Sequence, residues 1–231
     1  VAPLRTEDGW VFNTDENRFT DNLYQLKAMH QLYSKAEPKF TGRVTVPVLW
    51  DKKLQKIVSN ESSEIIRMFN SAFNEVTGDK QNFYPDALAT EIDELNDLIY
   101  NNINNGVYKT GFARTQEAYD ESVTKVFVTL DTLEARLSTR RYLLGDNITE
   151  ADWRFLPTLV RFDVGYFSAF KCNLKAIRDY PNLSAYLQDL YSQPGVAITV
   201  DLDIYRAGYH SKSSLRNPHG IVPVGFASAF S

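Results

Sequence analysis

Thr45-Val46-Pro47-Val48-Leu49-Trp50, followed by Ile57-Val58-Ser59-Asn60-Glu61-Ser62-Ser63, is the stretch on which the fold turns. Residues 44–50 are β-branched, aliphatic or aromatic around one proline, which predicts a strand. Residues 51–55 are a polar turn, and Lys56-Ile57-Val58-Ser59 predicts a second, short strand, so the two form a hairpin. Pro47 cannot donate to a ladder and belongs at an edge or a distortion; a cis peptide bond would also suit it. Either arrangement leaves the backbone of Val46 available to an extended peptide ligand. The plainer reading is an edge strand whose proline blocks aggregation. Asn60-Glu61-Ser62-Ser63 then opens a helix with Ile65, Ile66, Phe69, Ala72 and Phe73 on its apolar face. A helix start presents free N–H groups and a positive dipole end. A ligand carboxylate would sit there on the Ser62 hydroxyl and the backbone amides, with Glu61 taking an ammonium. The plainer reading is an N-cap supplied by Asn60, Ser62 or Ser63. Together, a peptide-pairing edge and a carboxylate-binding helix start describe a site for a small γ-linked tripeptide.

Outward from this stretch, residues 21–35 have helical spacing, with Leu23, Leu26, Met29 or His30, and Tyr33 on one face, and Pro38 and Gly42 stop the helix. The order helix, strand, strand, helix is the second half of a thioredoxin-like domain. The strand-helix-strand unit that would precede it is not in the chain. A composition shift at residues 78–85 marks a boundary, giving a partial thioredoxin-like domain at 1–78 and an all-helical domain with a tail at 79–231. Amphipathic runs cover residues 88–107, 115–138, 149–167 and 182–192. The third opens with a capping box, Thr149 with Asp152 three residues on, and the fourth follows a stop signal at Pro181. After Gly208 the chain reads as an irregular tail.

The totals exclude several classes. The 231 residues are 43% hydrophobic with a net charge of -4, which favours neither disorder nor nucleic acid. No apolar run approaches the ~18 residues of a membrane span, and residues 1–8 show no signal peptide. The single cysteine, Cys172, gives no intrachain disulfide and no thiolate zinc site. It reads as a small, partly buried residue. His30, His210 and His219 show no ligand spacing, so no metal is expected.

Longer motifs carry a resemblance. Residues 45–52 and 57–68, Asn104-Asn105-Gly106-Val107-Tyr108-Lys109-Thr110-Gly111-Phe112-Ala113, residues 156–163, Phe170-Lys171-Cys172-Asn173 and residues 217–223 together resemble the glutathionyl-hydroquinone reductases, the Xi-class glutathione transferases. The likeness runs from about Glu7 to Pro223. It implies a glutathione-transferase fold, with glutathione as co-substrate and a glutathionylated hydroquinone as substrate. A cysteine thiolate attacks the thioether sulfur, and a second glutathione resolves the mixed disulfide. Glu61 and Ser62 match the γ-glutamyl-binding pair, and Val46 the residue before the cis-proline. Trp10 resembles a glutathione-contacting tryptophan or is a loop anchor; Arg43 would meet the glycyl carboxylate or stand as a solvated charge. Tyr108 and Tyr166 look like the hydroquinone-side tyrosines, the alternative for each being a helix-core aromatic. The family's Cys-Pro-Trp-Ala type motif has no counterpart in this chain, so the expectation is a longer protein whose nucleophile lies upstream. The resemblance also implies a cytoplasmic homodimer, with any organellar targeting peptide upstream, and no nucleic-acid or membrane partner. The rival reading is a non-catalytic glutathione-transferase-like binding or scaffold subunit.

Overall fold

A computed structural model describes residues 1–3, 8–12 and 19–225. Glu7, where the resemblance begins, and the tail end at 226–231 lie outside the described residues. The chain forms two compact units, Val1–Gln81 and Asn82–Ser231.

In the first unit the expected helix over 21–35 is shorter, running Met29–Ala36. The reason is Asp21. Its carboxylate accepts the backbone N–H groups of Leu23, Tyr24 and Leu26 at 2.9, 3.2 and 3.0 Å. A short acidic side chain that binds its own following amides competes with helix formation. Ala28 then pairs with Val11 in an antiparallel bridge. Met29 and Tyr33 are buried as expected, whereas Leu23 is exposed. The strand expected over 44–50 is also shorter. Leu49–Asp51 pairs antiparallel with Lys56–Ser59, Trp50 opposite Ile57. Pro47 has no N–H to give a ladder. Upstream of it Thr45 is held by a side chain instead: the Tyr33 hydroxyl donates to its carbonyl at 3.0 Å. The Val46-Pro47 peptide bond is cis. The following helix spans Ser62–Ser71.

In the second unit the expected run 88–107 is not one helix. It is Ala89–Ile99, a π-helical turn at Tyr100–Asn104, and Gly106–Gly111. Thr115 caps Gln116–Leu137 by accepting from the Ala118 N–H at 3.2 Å. This helix buries Val123, Val126, Phe127, Leu130, Leu133 and Leu137, the three-and-four spacing of one helical stripe. Glu150–Arg161 starts at Thr149, whose N–H and hydroxyl both donate to Asp152 at 2.7 and 2.8 Å. It runs into a second π-helical turn, Phe162–Tyr166. Pro181 is not a stop signal: it occupies the first turn of Pro181–Tyr191, where its missing N–H costs nothing. A further helix, Leu202–Tyr209, is capped by the Asp201 carboxylate; it reaches one residue into the stretch expected to be irregular. Facing leucines, isoleucines and phenylalanines of the long helices, Ile92, Leu130, Phe155 and Leu183 among them, have no accessible surface.

Candidate functional site

In the first unit, the residues expected to bind a small peptide gather around Thr45. Thr45 hydroxyl oxygen accepts from the Asn60 amide at 2.9 Å, and Asn60 also donates to the Tyr33 hydroxyl at 3.2 Å. Val46 and Glu61 therefore each follow one member of a bonded pair. Asn60 is spent in this network and is not the helix cap. The cap position is Glu61, with no side-chain cap bond, so the alternative of a plain cap by Asn60, Ser62 or Ser63 does not hold. Glu61 carbonyl accepts from the Glu64 and Ile65 N–H groups at 3.1 and 3.0 Å. The Glu61 N–H donates to Ser59 Oγ at 3.0 Å, and Ser59 in turn donates to Glu64 at 2.7 Å. Among the described residues nothing occupies the Ser62 and Ser63 N–H groups, the Ser62 hydroxyl, the Glu61 carboxylate or the backbone of Val46. Glu61 and Ser62 are exposed. This is a helix start with free donors beside a free acid and an unpaired backbone at Val46, suited to a zwitterionic peptide end.

Thr45 also lines a cleft of about 660 Å³ with Asp8, Gly9, Trp10, His30, Arg43 and Val44 among its walls. The cleft brings Trp10 and Arg43 together. Trp10 is held at its backbone, its carbonyl accepting the Met29 N–H at 2.8 Å. Arg43 has no ion-pair partner among the described residues. Asp8 and His30 were missed as cleft residues. His30 sits one residue into its helix, and helical periodicity alone left its direction open.

In the second unit, Tyr108 and Tyr166 are brought together through a residue the sequence did not single out. Tyr209 hydroxyl lies 3.0 Å from the Tyr108 hydroxyl and 3.0 Å from that of Tyr166. The rings pack edge to face: Tyr166 and Tyr209 centroids are 4.8 Å apart, Tyr108 and Tyr166 5.8 Å. Phe170 stacks on Tyr166 at 5.5 Å and meets Tyr108 at 5.1 Å. Two glycines make room. A Cβ on Gly165 would lie 2.7 Å from the Tyr209 ring, and one on Gly111 2.3 Å from Phe170. Tyr166 is buried at 3% exposure, whereas Tyr108 is 39% exposed. The cluster therefore has a dry inner hydroxyl, a middle one and an open outer one. Burial, then the neighbouring tyrosines, push Tyr166 well above its ordinary value, and burial first does the same for Tyr209. The Arg161 guanidinium acts the other way on both. At neutral pH these two hydroxyls are protonated, able to pass donor character along the chain toward Tyr108.

Cys172 is fully buried rather than partly buried, and burial pushes its thiol up to about 12. A thiol so placed is neither ionised nor reachable. Among the described residues no set of three or more His, Cys, Asp or Glu side chains could hold a metal ion, and no helix is long and apolar enough to cross a membrane.

The family model described as the glutathione S-transferase C-terminal domain matches residues 116–189. The chain is 53% identical over 226 residues to the Escherichia coli K12 protein named glutathionyl-hydroquinone reductase YqjG, spanning 97% of this chain and 69% of that protein. It is 48% identical over 219 residues to glutathionyl-hydroquinone reductase PcpF of Sphingobium chlorophenolicum, spanning 95% and 70%. The glutathione-bound structure of YqjG superposes with a TM-score of 0.96 at 52% identity, covering 99% of this chain and 75% of that one. The Xi glutathione transferase of Phanerochaete chrysosporium superposes at 0.95 with 44% identity, covering 100% and 80%.

Proposed function

The chain belongs to the Xi-class glutathione transferases and has their fold, and from that premise we propose that it serves the glutathione-dependent removal of the glutathionyl group from glutathionyl-hydroquinones. The observation that carries this reading is the Tyr108–Tyr209–Tyr166 hydroxyl chain, dry at one end and open at the other. In the proposed reaction a thiolate attacks the thioether sulfur. A sulfur–sulfur bond forms, the carbon–sulfur bond breaks, and its electron pair goes to the ring carbon, which takes up a proton. Glutathione then exchanges with the mixed disulfide, releasing oxidised glutathione. Tyr108, at the open end, holds a substrate hydroxyl and offers the proton; Tyr166 acts through Tyr209 by keeping that chain protonated. In the first unit, Ser62 with the free amides and Glu61 hold the γ-glutamyl end of glutathione, and the Val46 backbone pairs with its cysteinyl unit. Trp10 and Arg43 take the remainder in the cleft, Arg43 toward the glycyl carboxylate.

Cys172 is not the attacking thiol, since it is buried and held protonated. The proposed nucleophile is a cysteine outside residues 1–231. We place the enzyme in the cytoplasm as a homodimer, the state the family suggests. The test is turnover of a glutathionyl-hydroquinone by glutathione, followed as free hydroquinone. Tyr108→Phe should lower kcat by about 10²-fold or more, the low end of what one positioned general acid contributes. Unchanged turnover in Tyr108→Phe would remove the tyrosine chain from the mechanism. Release of hydroquinone without any glutathione requirement would overturn the reductase reading.

A further inference from the structure

Arg216 lies against the open end of the aromatic cluster. Its guanidinium carbon stands 4.7 Å over the Phe112 ring and 5.2 Å over the Phe170 ring. Both rings also flank Tyr108, with centroids 6.4 and 5.1 Å away. The arginine is carried on a fixed loop rather than a loose tail. Ser213 and Asn217 exchange backbone hydrogen bonds at 3.0 Å. The Asn217 amide bonds the His210 and Ile221 carbonyls, and its oxygen accepts the Ile221 N–H at 3.2 Å. Among the described residues no carboxylate pairs with the guanidinium. Partial burial lowers its pKa, and no acidic neighbour acts to raise it. A guanidinium held over an aromatic face still carries five N–H donors in its own plane, which can meet a planar anion. In a chain of net charge -4, an arginine left unpaired beside phenol-binding hydroxyls is placed for a ligand.

We infer that Arg216 is a specificity-determining residue that favours hydroquinones whose ring carries an anionic group, a carboxylate or a phenol ionised by electron-withdrawing substituents. This rests on the reading that the tyrosine cluster takes the hydroquinone ring. The hydroxyls of Tyr108 and Tyr209 recognise any hydroquinone, and Arg216 separates charged rings from uncharged ones.

Binding tests this without turnover. The full-length protein is titrated calorimetrically, in the absence of oxygen, with three ligands: glutathione, glutathionyl-methylhydroquinone, and the glutathionyl conjugate of 2,5-dihydroxybenzoate. The carboxylated conjugate should bind about tenfold tighter than the methylated one, as one charge-assisted bidentate contact allows, with the preference shrinking as salt rises. Arg216→Gln should abolish the preference while leaving the methylated conjugate within about twofold. Arg216→Lys, which keeps the charge but not the planar fork, should retain only part of it. Equal binding of both conjugates, each tighter than glutathione, overturns the assignment of Arg216 and leaves the hydroquinone site standing. Conjugates that bind no tighter than glutathione overturn both. A preference that survives in Arg216→Gln assigns the selectivity to another cation and overturns the inference.

Discussion

Gly165 has no side chain, and that absence admits the Tyr209 ring to the cluster. A Cβ at this position would lie 2.7 Å from Tyr209 Cδ2 and 3.1 Å from Cγ. Gly165 sits in a helical segment, so alanine there gains about 1 kcal/mol from backbone propensity. Overpacking costs about 1–3 kcal/mol, so the two nearly offset in stability while the ring is still pushed aside. Gly165→Ala should therefore remain folded, within about 2 kcal/mol by urea unfolding. It should still lose about 10²-fold in turnover, the scale of a misplacement near 1 Å. A variant with wild-type kinetics would mean that Tyr209 does not set the geometry of the site. The two ends of this hydroxyl chain were legible in the sequence, because Tyr108 and Tyr166 lie in or beside long family-like runs. Tyr209 was not. It is 101 residues from Tyr108 and 43 from Tyr166, and it closes a short helix next to a stretch rich in proline and glycine. Tyr205 and Tyr209, four apart behind Asp201, are the signal that could have placed it on a helix face.

Two helix starts show how the same side-chain chemistry gives opposite outcomes in elements. At Asp152 the carboxylate reinforces the helix. It has no accessible surface and accepts from the Thr149 N–H and hydroxyl, the Leu143 N–H at 2.9 Å and the Tyr186 hydroxyl at 2.8 Å. It thus ties the start of Glu150–Arg161 to the preceding loop and to Pro181–Tyr191. At Asp21 the carboxylate gathers three amides of its own turn and delays the helix to Met29. In sequence Asp152 reads as the partner of Thr149 in a capping box, whereas Asp21 only opens a stretch of helical spacing. The difference is whether burial and distant donors surround the carboxylate, and those partners lie in other elements. The strand at Leu49–Asp51 was overextended for a related reason, since the residues before Pro47 find a tyrosine hydroxyl instead of a neighbouring strand. Removing Asp152 should be severe. Asp152→Ala strands several buried donors, each costing about 1–3 kcal/mol, so the urea midpoint should fall by several kcal/mol equivalents. Asp21 is half-buried in a turn whose residues Asn22, Leu23 and Gln25 are exposed, so water can reach the amides it frees and Asp21→Ala should cost less, about 1 kcal/mol. Equal effects at the two sites would contradict this account of the caps.

At the scale of the whole molecule, the second unit keeps several weak acids neutral. Burial is the first cause in each case: it pushes Tyr166, Tyr180, Tyr186 and Tyr209 above their ordinary value of 10.0 and the Cys172 thiol from 9.0 up to about 12. For Tyr186 the Asp152 carboxylate adds to burial, because an ionised phenol could not donate to it. The sign of the linkage follows. In the unfolded chain these groups ionise near 9.0 to 10.0, whereas in the fold they keep their protons. Their contribution is fully present below that range and is lost as pH rises through the folded values. Each group that ionises only in the unfolded chain lowers stability by about 1.4 kcal/mol per pH unit. Several together should make the fall steep. Denaturant unfolding should give a flat stability around neutral pH and a decline that begins at about pH 9 to 10 and steepens above it. Tyr166→Phe removes one such group together with a hydroxyl contact, so it should start less stable and fall less steeply. Cys172→Ala should flatten the curve at its lower edge, nearest the thiol's unfolded value. A stability that stays level to well above pH 10 would mean that these phenols reach solvent in the folded protein. The dry inner end of the hydroxyl chain, on which the proposed proton path depends, would then be absent.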